Sequence, residues 1–154
     1  MDTLLITAAD VENGKIKDES RVVGVKGHIR LAANLGTIFA LRFECTGMLL
    51  AEAGTGIEAG TGIKAGWGIK AGWGIKAGEG IKAGTGITCK TALQVAYRIF
   101  AGIAVWLKTP TAEQRRITCG RLDSGEVCYG DLVETTKQVS QSSEVPNNSS
   151  QEQV

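Results

Sequence analysis

The chain has 154 residues and a mass of 16.2 kDa, the length of one domain or of one domain with a tail. Seventeen Lys and Arg against 16 Asp and Glu give a net charge of +1, which excludes a global attraction to nucleic acid or membranes. Twenty-one glycines beside 43% apolar residues and two prolines exclude a polar linker, and a six-residue glycine period excludes collagen.

Taken in chain order, Met1-Asp2-Thr3 lacks the basic and then apolar pattern of a secretory signal. No apolar stretch reaches the ~20 residues that span a bilayer, so the expected compartment is the cytoplasm and no membrane partner is expected. There Cys45, Cys89, Cys119 and Cys128 are expected as reduced thiols, and without a CxxC pair no zinc site is expected. Residues 4–7 and 15–17 flank Glu12-Asn13-Gly14, and Asn-Gly is a strong hairpin signal. Further short strands are predicted over 21–25, 28–32 and 38–43.

From Ala51 the chain reads AEAGTG, IEAGTG, IKAGWG, IKAGWG, IKAGEG, IKAGTG and then a decayed ITCKTA. Repetition of this fidelity takes precedence over local propensity. Odd positions carry Ile, Ala and a variable residue, and even positions carry Lys or Glu and two glycines. That alternation fits extended chain with two faces. In a helix, each of those glycines would cost ~1 kcal/mol relative to Ala.

The phase of Ile57, Ile63, Ile69, Ile75, Ile81 and Ile87 continues forward to Leu93, Ile99 and Val105, and backward to Ala51, Cys45 and Phe39. One hexad cannot bury its own isoleucine, but stacked coils can. The predicted fold is all-β: a single-stranded β-solenoid of parallel coils, with glycines at the corners where the chain bends and positive φ is available. Its expected divisions are an N-terminal hairpin cap over 1–38, the solenoid over 39–108, a C-terminal hairpin cap over 109–136 and a disordered tail over 137–154. The C-terminal hairpin is predicted from residues 116–119 and 126–129 around Asp123-Ser124-Gly125. Residues 93–107 read either as further solenoid or as one capping helix, and a six-residue period fits both two-sided and three-sided coils.

Catalytic signals are sparse. His28 is the single histidine and has no nucleophile pattern nearby, and Glu52, Glu58, Glu79 and Asp123 form no evident acid/base pair. The expectation is a non-enzymatic protein without a cofactor. The functional signal is variation within the repeat. Its fifth position reads Thr55, Thr61, Trp67, Trp73, Glu79, Thr85, and its second reads Glu52, Glu58, Lys64, Lys70, Lys76, Lys82. One reading puts Trp67 and Trp73 in the interior with lysines that only solubilise. The other turns the varied positions outward as a patch, and it is favoured because an interior fitted to Ile and Ala is tight for Trp and costly for Glu79. The candidate partner-binding residues are therefore Trp67, Trp73, Lys64, Lys70, Lys76, Lys82 and Glu79. Trp offers large contact area with few rotors, and a lysine row of ~20 Å or more can meet a nucleic-acid backbone or an acidic protein.

The hexad spacing resembles the left-handed parallel β-helix of hexapeptide-repeat acyltransferases. Ile57-Glu58 with Thr61 satisfies that family's unit, whereas Ile69-Lys70 with Trp73 departs from it, and the family's catalytic histidine has no counterpart in the repeats. The chain is also similar to bactofilins, short polymer-forming β-helices, which implies self-association through the solenoid ends. The Gly-Ile-Lys-Ala-Gly run, with Cys119-Gly120-Arg121-Leu122 and the Gly-Glu-Val and Tyr-Gly that follow, resembles uncharacterised proteins of bacterial phages and mobile elements. That resemblance implies an inhibitor of host defence, anti-CRISPR-like, whose partner is a host protein or nucleoprotein complex.

Overall fold

A computed structural model describes residues 2–135. Residues separated by 18 pair in register on parallel strands: Ile57 with Ile75 and then Leu93, Ile63 with Ile81 and then Ile99, and Ile69 with Ile87. Three hexads therefore make one coil, and the β-solenoid is three-sided. The first face stacks Thr3–Ile6, His28–Leu31, Leu49–Ala51, Ile69–Ala71, Ile87–Cys89, Arg116–Cys119 and Asp131–Glu134. The second stacks Lys15–Ile16, Gly36–Ala40, Thr55–Ala59, Ile75–Ala77 and the first half of Ala92–Ala101. The third stacks Phe43–Cys45, Ile63–Ala65, Ile81–Ala83 and the second half of Ala92–Ala101, and Arg121–Tyr129 then follows both halves of that long strand.

Alternation decides what lies inside. The first residue of each hexad builds one apolar ladder per face: Ile29, Leu49, Ile69, Ile87 and Ile117 on the first, Ile38, Ile57, Ile75 and Leu93 on the second, and Phe43, Ile63, Ile81 and Ile99 on the third. All are buried, each such side chain contributing about 1.5–3 kcal/mol. The third residue, mostly Ala or Cys with Leu31 and Val95 as the larger members, fills the space beside them. Thr55 is a buried polar side chain with both needs met: Oγ1 donates to Ala32 O (2.6 Å) and accepts from Leu35 N (3.1 Å).

Several sequence expectations change. The solenoid is not confined to 39–108, because strands of both flanks belong to the same parallel stack. A turn at Asn13-Gly14, with φ of 54° and 78°, makes the antiparallel exception at the N-terminal end, but its arms are Val11–Glu12 and Lys15–Ile16. The expected arm over 4–7 is instead Thr3–Ile6, parallel to His28–Leu31. Residues predicted as a strand over 21–25 instead contain a 3-10 turn, Glu19–Val22, started by Asp18 accepting from Ser20 N. The expected C-terminal hairpin is absent: Asp123-Ser124-Gly125 lies inside the single strand Arg121–Tyr129, which pairs in parallel with Ala92–Ala101. Residues 93–101 are solenoid rather than helix. The tail expected over 137–154 lies outside the described residues.

The phase also slips where the exact repeats begin. Ile57 follows Ala51 by six residues but Ile75 follows Ala71 by four, so the coil through Thr55 has a corner enlarged by two residues, with Gly54 at φ 76°. Leu49, Phe43 and Ile38, rather than Ala51, Cys45 and Phe39, therefore occupy the isoleucine ladders. Forward, Val105 is fully exposed in an excursion over 102–115, and Ile117 takes up the ladder instead.

The corner glycines answer to contact more than to φ. Hydrogen bonds between coils continue through the corners: Gly84 N donates to Ala65 O (3.0 Å) and Thr85 N to Trp67 O (3.3 Å). A Cβ on Gly66, Gly72, Gly78 or Gly84 would fall well inside 3.0 Å of a carbonyl oxygen of the preceding coil, and none of the four has positive φ. At Gly80 a Cβ would stand 3.1 Å from Arg98 O. Gly84→Ala is therefore expected to destabilise by about 1–3 kcal/mol and Gly80→Ala by clearly less, read from urea unfolding midpoints. Equal effects would remove the contact argument.

Three of the four cysteines are interior. Burial pushes the Cys45 thiol up to about 11, and the neighbouring Cys119 thiol together with burial holds Cys89 well above its ordinary value. At pH 8 in the folded protein a thiol-directed reagent is expected to label only the exposed Cys128 rapidly, and all four after denaturation. Rapid labelling of two or more before unfolding would contradict this packing.

Candidate functional site

With the interior of the exact repeats taken up by Ile and Ala, only the second and fifth hexad positions are free to vary. The second projects from the middle of a face and the fifth stands at a corner. Because successive hexads occupy successive faces, the lysine row expected from the sequence is divided. Lys64 and Lys82 are in-register neighbours on the third face, Lys70 lies on the first between Leu50 and Thr88, and Lys76 lies on the second between Glu58 and Gln94. The fifth positions divide likewise. Thr61, Glu79 and Tyr97 form one column at the corner between the second and third faces, with Glu79 N donating to Thr61 O (2.7 Å) and Tyr97 N to Glu79 O (2.9 Å). Trp67 stands between the third and first faces, and Trp73 between the first and second.

The three faces differ in electrostatics. On the first, Arg30 is paired with Glu52. On the second, Lys76 meets its in-register neighbour Glu58 at 3.9 Å. On the third, the outward column reads Glu44, Lys64, Lys82, Phe100, Tyr129. Glu44 is engaged by Arg42 (3.6 Å), and among the described residues Lys64, Lys82 and Arg98 have no carboxylate within 4.0 Å. Arg42, Lys64, Glu79, Lys82, Tyr97, Arg98 and Phe100 line a groove of about 450 Å³ on this face. Tyr97 is 67% exposed and Phe100 half-buried.

Aromatic groups also border the opposite edge of the third face. Trp67 is 44% exposed, with its ring 5.8 Å from that of Trp106 and edge-on to His28 at 6.3 Å. Ile103 and Val105, in the excursion that carries Trp106, are exposed as well. His28 Nδ1 accepts from Met48 N (2.8 Å), so its ring is held by the fold at a corner away from the groove. Trp73 has no aromatic partner among the described residues and sits farther round the solenoid.

The structure thus brings together Lys64, Lys82 and Glu79, adds Arg42, Tyr97, Arg98 and Phe100, and leaves Trp73, Lys70 and Lys76 on other surfaces. The added residues follow from one signal, the 18-residue spacing. It places Phe100 above Lys82 and Tyr97 above Glu79, but a near-perfect hexad hides which third of the units belong together. Comparison with protein-family models, curated proteins and solved structures finds no match for this chain.

Coils stand about 4.8 Å apart, and like charges directly opposite on paired strands destabilise by a few tenths of a kcal/mol. Lys82→Glu is therefore expected to raise stability by about 0.5 kcal/mol, whereas Lys76→Glu, which faces Glu58, lowers it by a similar amount. Chemical denaturation at low salt reads both changes, and equal signs would refute the contrast between the faces.

Proposed function

We propose that this chain is a non-enzymatic binding protein that docks an anionic partner through the third face of its solenoid. One observation carries the reading: Lys64 and Lys82 stand in register one coil apart with Arg98 beside them, and none of the three cations has a carboxylate within 4.0 Å among the described residues. That holds although Glu44 and Glu126 are in-register neighbours of Lys64 and Arg98, while on the second face Lys76 reaches Glu58. The scaffold accepts complementary charge at an equivalent position, so repelling lysines serve something other than folding. Exposed Tyr97 at one border and Trp67 with Trp106 at the other supply rigid contact area of the kind that anchors interfaces.

The resemblance of the Gly-Ile-Lys-Ala-Gly run and of residues 119–130 to proteins of phages and mobile elements supports a narrower form of the proposal. In it, the partner is a host protein or nucleoprotein complex of a defence system, anti-CRISPR-like inhibition follows from occupying its surface, and the site of action is the cytoplasm. His28, engaged by Met48 and Trp67, gives no support to an acyltransferase reading. A second reading, self-association, is favoured by the outer edge of Asp131–Glu134, which has no paired strand among the described residues and leaves Leu132 exposed.

The test is capture from bacterial lysate on the immobilised full chain, comparing wild type with Lys64→Glu/Lys82→Glu and with Trp73→Ala, each matched to wild type by thermal unfolding. A partner held by wild type and Trp73→Ala but lost by the charge reversal is the expected result. Loss with Trp73→Ala alone would move the docking surface to another corner and overturn the proposal. Recovery of only the chain itself, with concentration-dependent sedimentation, would favour self-association.

A further inference from the structure

We infer that the groove on the third face takes single-stranded nucleic acid, its backbone on Lys64, Lys82 and Arg98 and its bases against Tyr97 and Phe100. This rests on the reading of that face as the docking surface and names the chemistry it meets. Three observations favour a nucleic-acid strand over an acidic polypeptide.

The first is the arrangement of charge. Lys64 and Lys82 are in register on successive coils about 4.8 Å apart. Arg98, on the next coil and two residues back from Phe100 above Lys82, lines the same groove, so the cations form an oblique line that a linear polyanion can follow. The second is the aromatic end of the groove. Phe100 continues the lysine column by one coil, and Tyr97 is exposed at the adjoining corner. Carboxylate side chains gain little from such rings, whereas every unpaired base offers a face to stack on them. A duplex keeps its base faces covered, which excludes double-stranded ligands from this arrangement.

The third is Glu79. It lines the groove, lies one coil below Tyr97 and has no cation within 4.0 Å among the described residues. Against a polyacidic chain this carboxylate only repels. Against a base stacked on Tyr97 it accepts from exocyclic amino or ring N–H donors. The groove therefore combines backbone cations, stacking rings and one base-edge acceptor, with sequence preference expected to be weak.

The experiment is fluorescence anisotropy of a labelled 15-nucleotide oligothymidylate titrated with the full chain between 50 and 200 mM NaCl. Three phosphate contacts give a log–log salt slope of about −2, so affinity is expected to fall roughly 20-fold over that range. Lys64→Glu/Lys82→Glu is expected to abolish binding or flatten the slope to a magnitude of less than about 1. Tyr97→Ala, a change at an exposed side chain, is expected to weaken binding by roughly tenfold with the slope unchanged. A merely electrostatic surface would not separate these two effects. Equal competition by poly-glutamate, with no effect of Tyr97→Ala, assigns the groove to an acidic polypeptide and overturns the inference. Failure of the oligonucleotide to bind, while charge reversal still abolishes partner capture, overturns the nucleic-acid ligand alone and leaves the docking face standing. Loss of neither activity on charge reversal overturns both.

Discussion

Everything in this solenoid depends on the spacing that parallel backbone hydrogen bonds impose between coils. That spacing holds along the strands and continues round the corners, where Gly66 N donates to Cys45 O, Gly72 N to Ala51 O and Gly78 N to Ala59 O at 2.9–3.0 Å. With the coils so close, no Cβ fits at Gly66, Gly72, Gly78 or Gly84, the fourth residues of the central hexads. The same spacing stacks isoleucine on isoleucine inside, so each coil buries the apolar surface of the one below it. Three of the six positions are fixed by these two requirements, the inward aliphatic, the inward small residue and the corner glycine. A sixth-position glycine also lies close to the next coil: a Cβ on Gly56 would meet Gly74 O at 3.0 Å. The two positions left free carry the surface chemistry.

Those free positions are used differently on the three faces. Complementary pairs on the first and second faces, Arg30 with Glu52 and Lys76 with Glu58, make a modest contribution to the fold in water. The third face has one such pair, Arg42 with Glu44, and leaves Lys64, Lys82 and Arg98 without a carboxylate within 4.0 Å among the described residues. Its lysines repel one another across one coil, and an arginine and two aromatic rings complete the same groove. A local cost without a local structural return is a physical mark of a site, and here it coincides with the exposed ring of Tyr97 and the half-buried ring of Phe100 beside positive charge.

The fold was legible because its rule is local and repeated. An Ile or Ala at every other residue, with glycine between, is incompatible with a helix and insufficient for an isolated strand, and both facts can be read from six letters. The number of sides was not legible, since the exact repeats are identical on every face. Only the pairing of Ile57 with Ile75, and of Ile63 with Ile81, resolves it. The division of the lysine row follows from that one missing quantity. The slip before Ile57 escaped for another reason: Ala51-Glu52-Ala53-Gly54 imitates the repeat in letters while forming a larger corner, and nothing in its composition marks the two additional residues. The C-terminal hairpin failed because Gly125, read as a turn, is instead a φ 116° kink inside a strand that needs to follow its bent neighbour Ala92–Ala101.

The excursion over 102–115 shows how such a scaffold acquires surface without disturbing its core. Gly102, at φ 82°, turns the chain outward at the corner between the third and first faces, and Arg116–Cys119 resumes pairing with Ile87–Cys89 as though the intervening residues were absent. Ile117 enters the ladder above Ile87, so the apolar ladder of the first face continues without a contribution from the excursion. The excursion is tied to the coil below at its start by Gly102 N donating to Ala83 O and Ala104 N to Gly84 O. Its Trp106 returns to the ring of Trp67, which lies at a fifth position and is itself free of the interior. The result is an aromatic border facing the Tyr97 corner across the lysine column, built entirely from residues the fold does not constrain. The first face also has a ring at each edge, Trp67 and Trp73, with Lys70 between them. The third adds an in-register lysine pair, Arg98 and the groove that Tyr97 and Phe100 line, and that combination is what separates a binding surface from a solvated one.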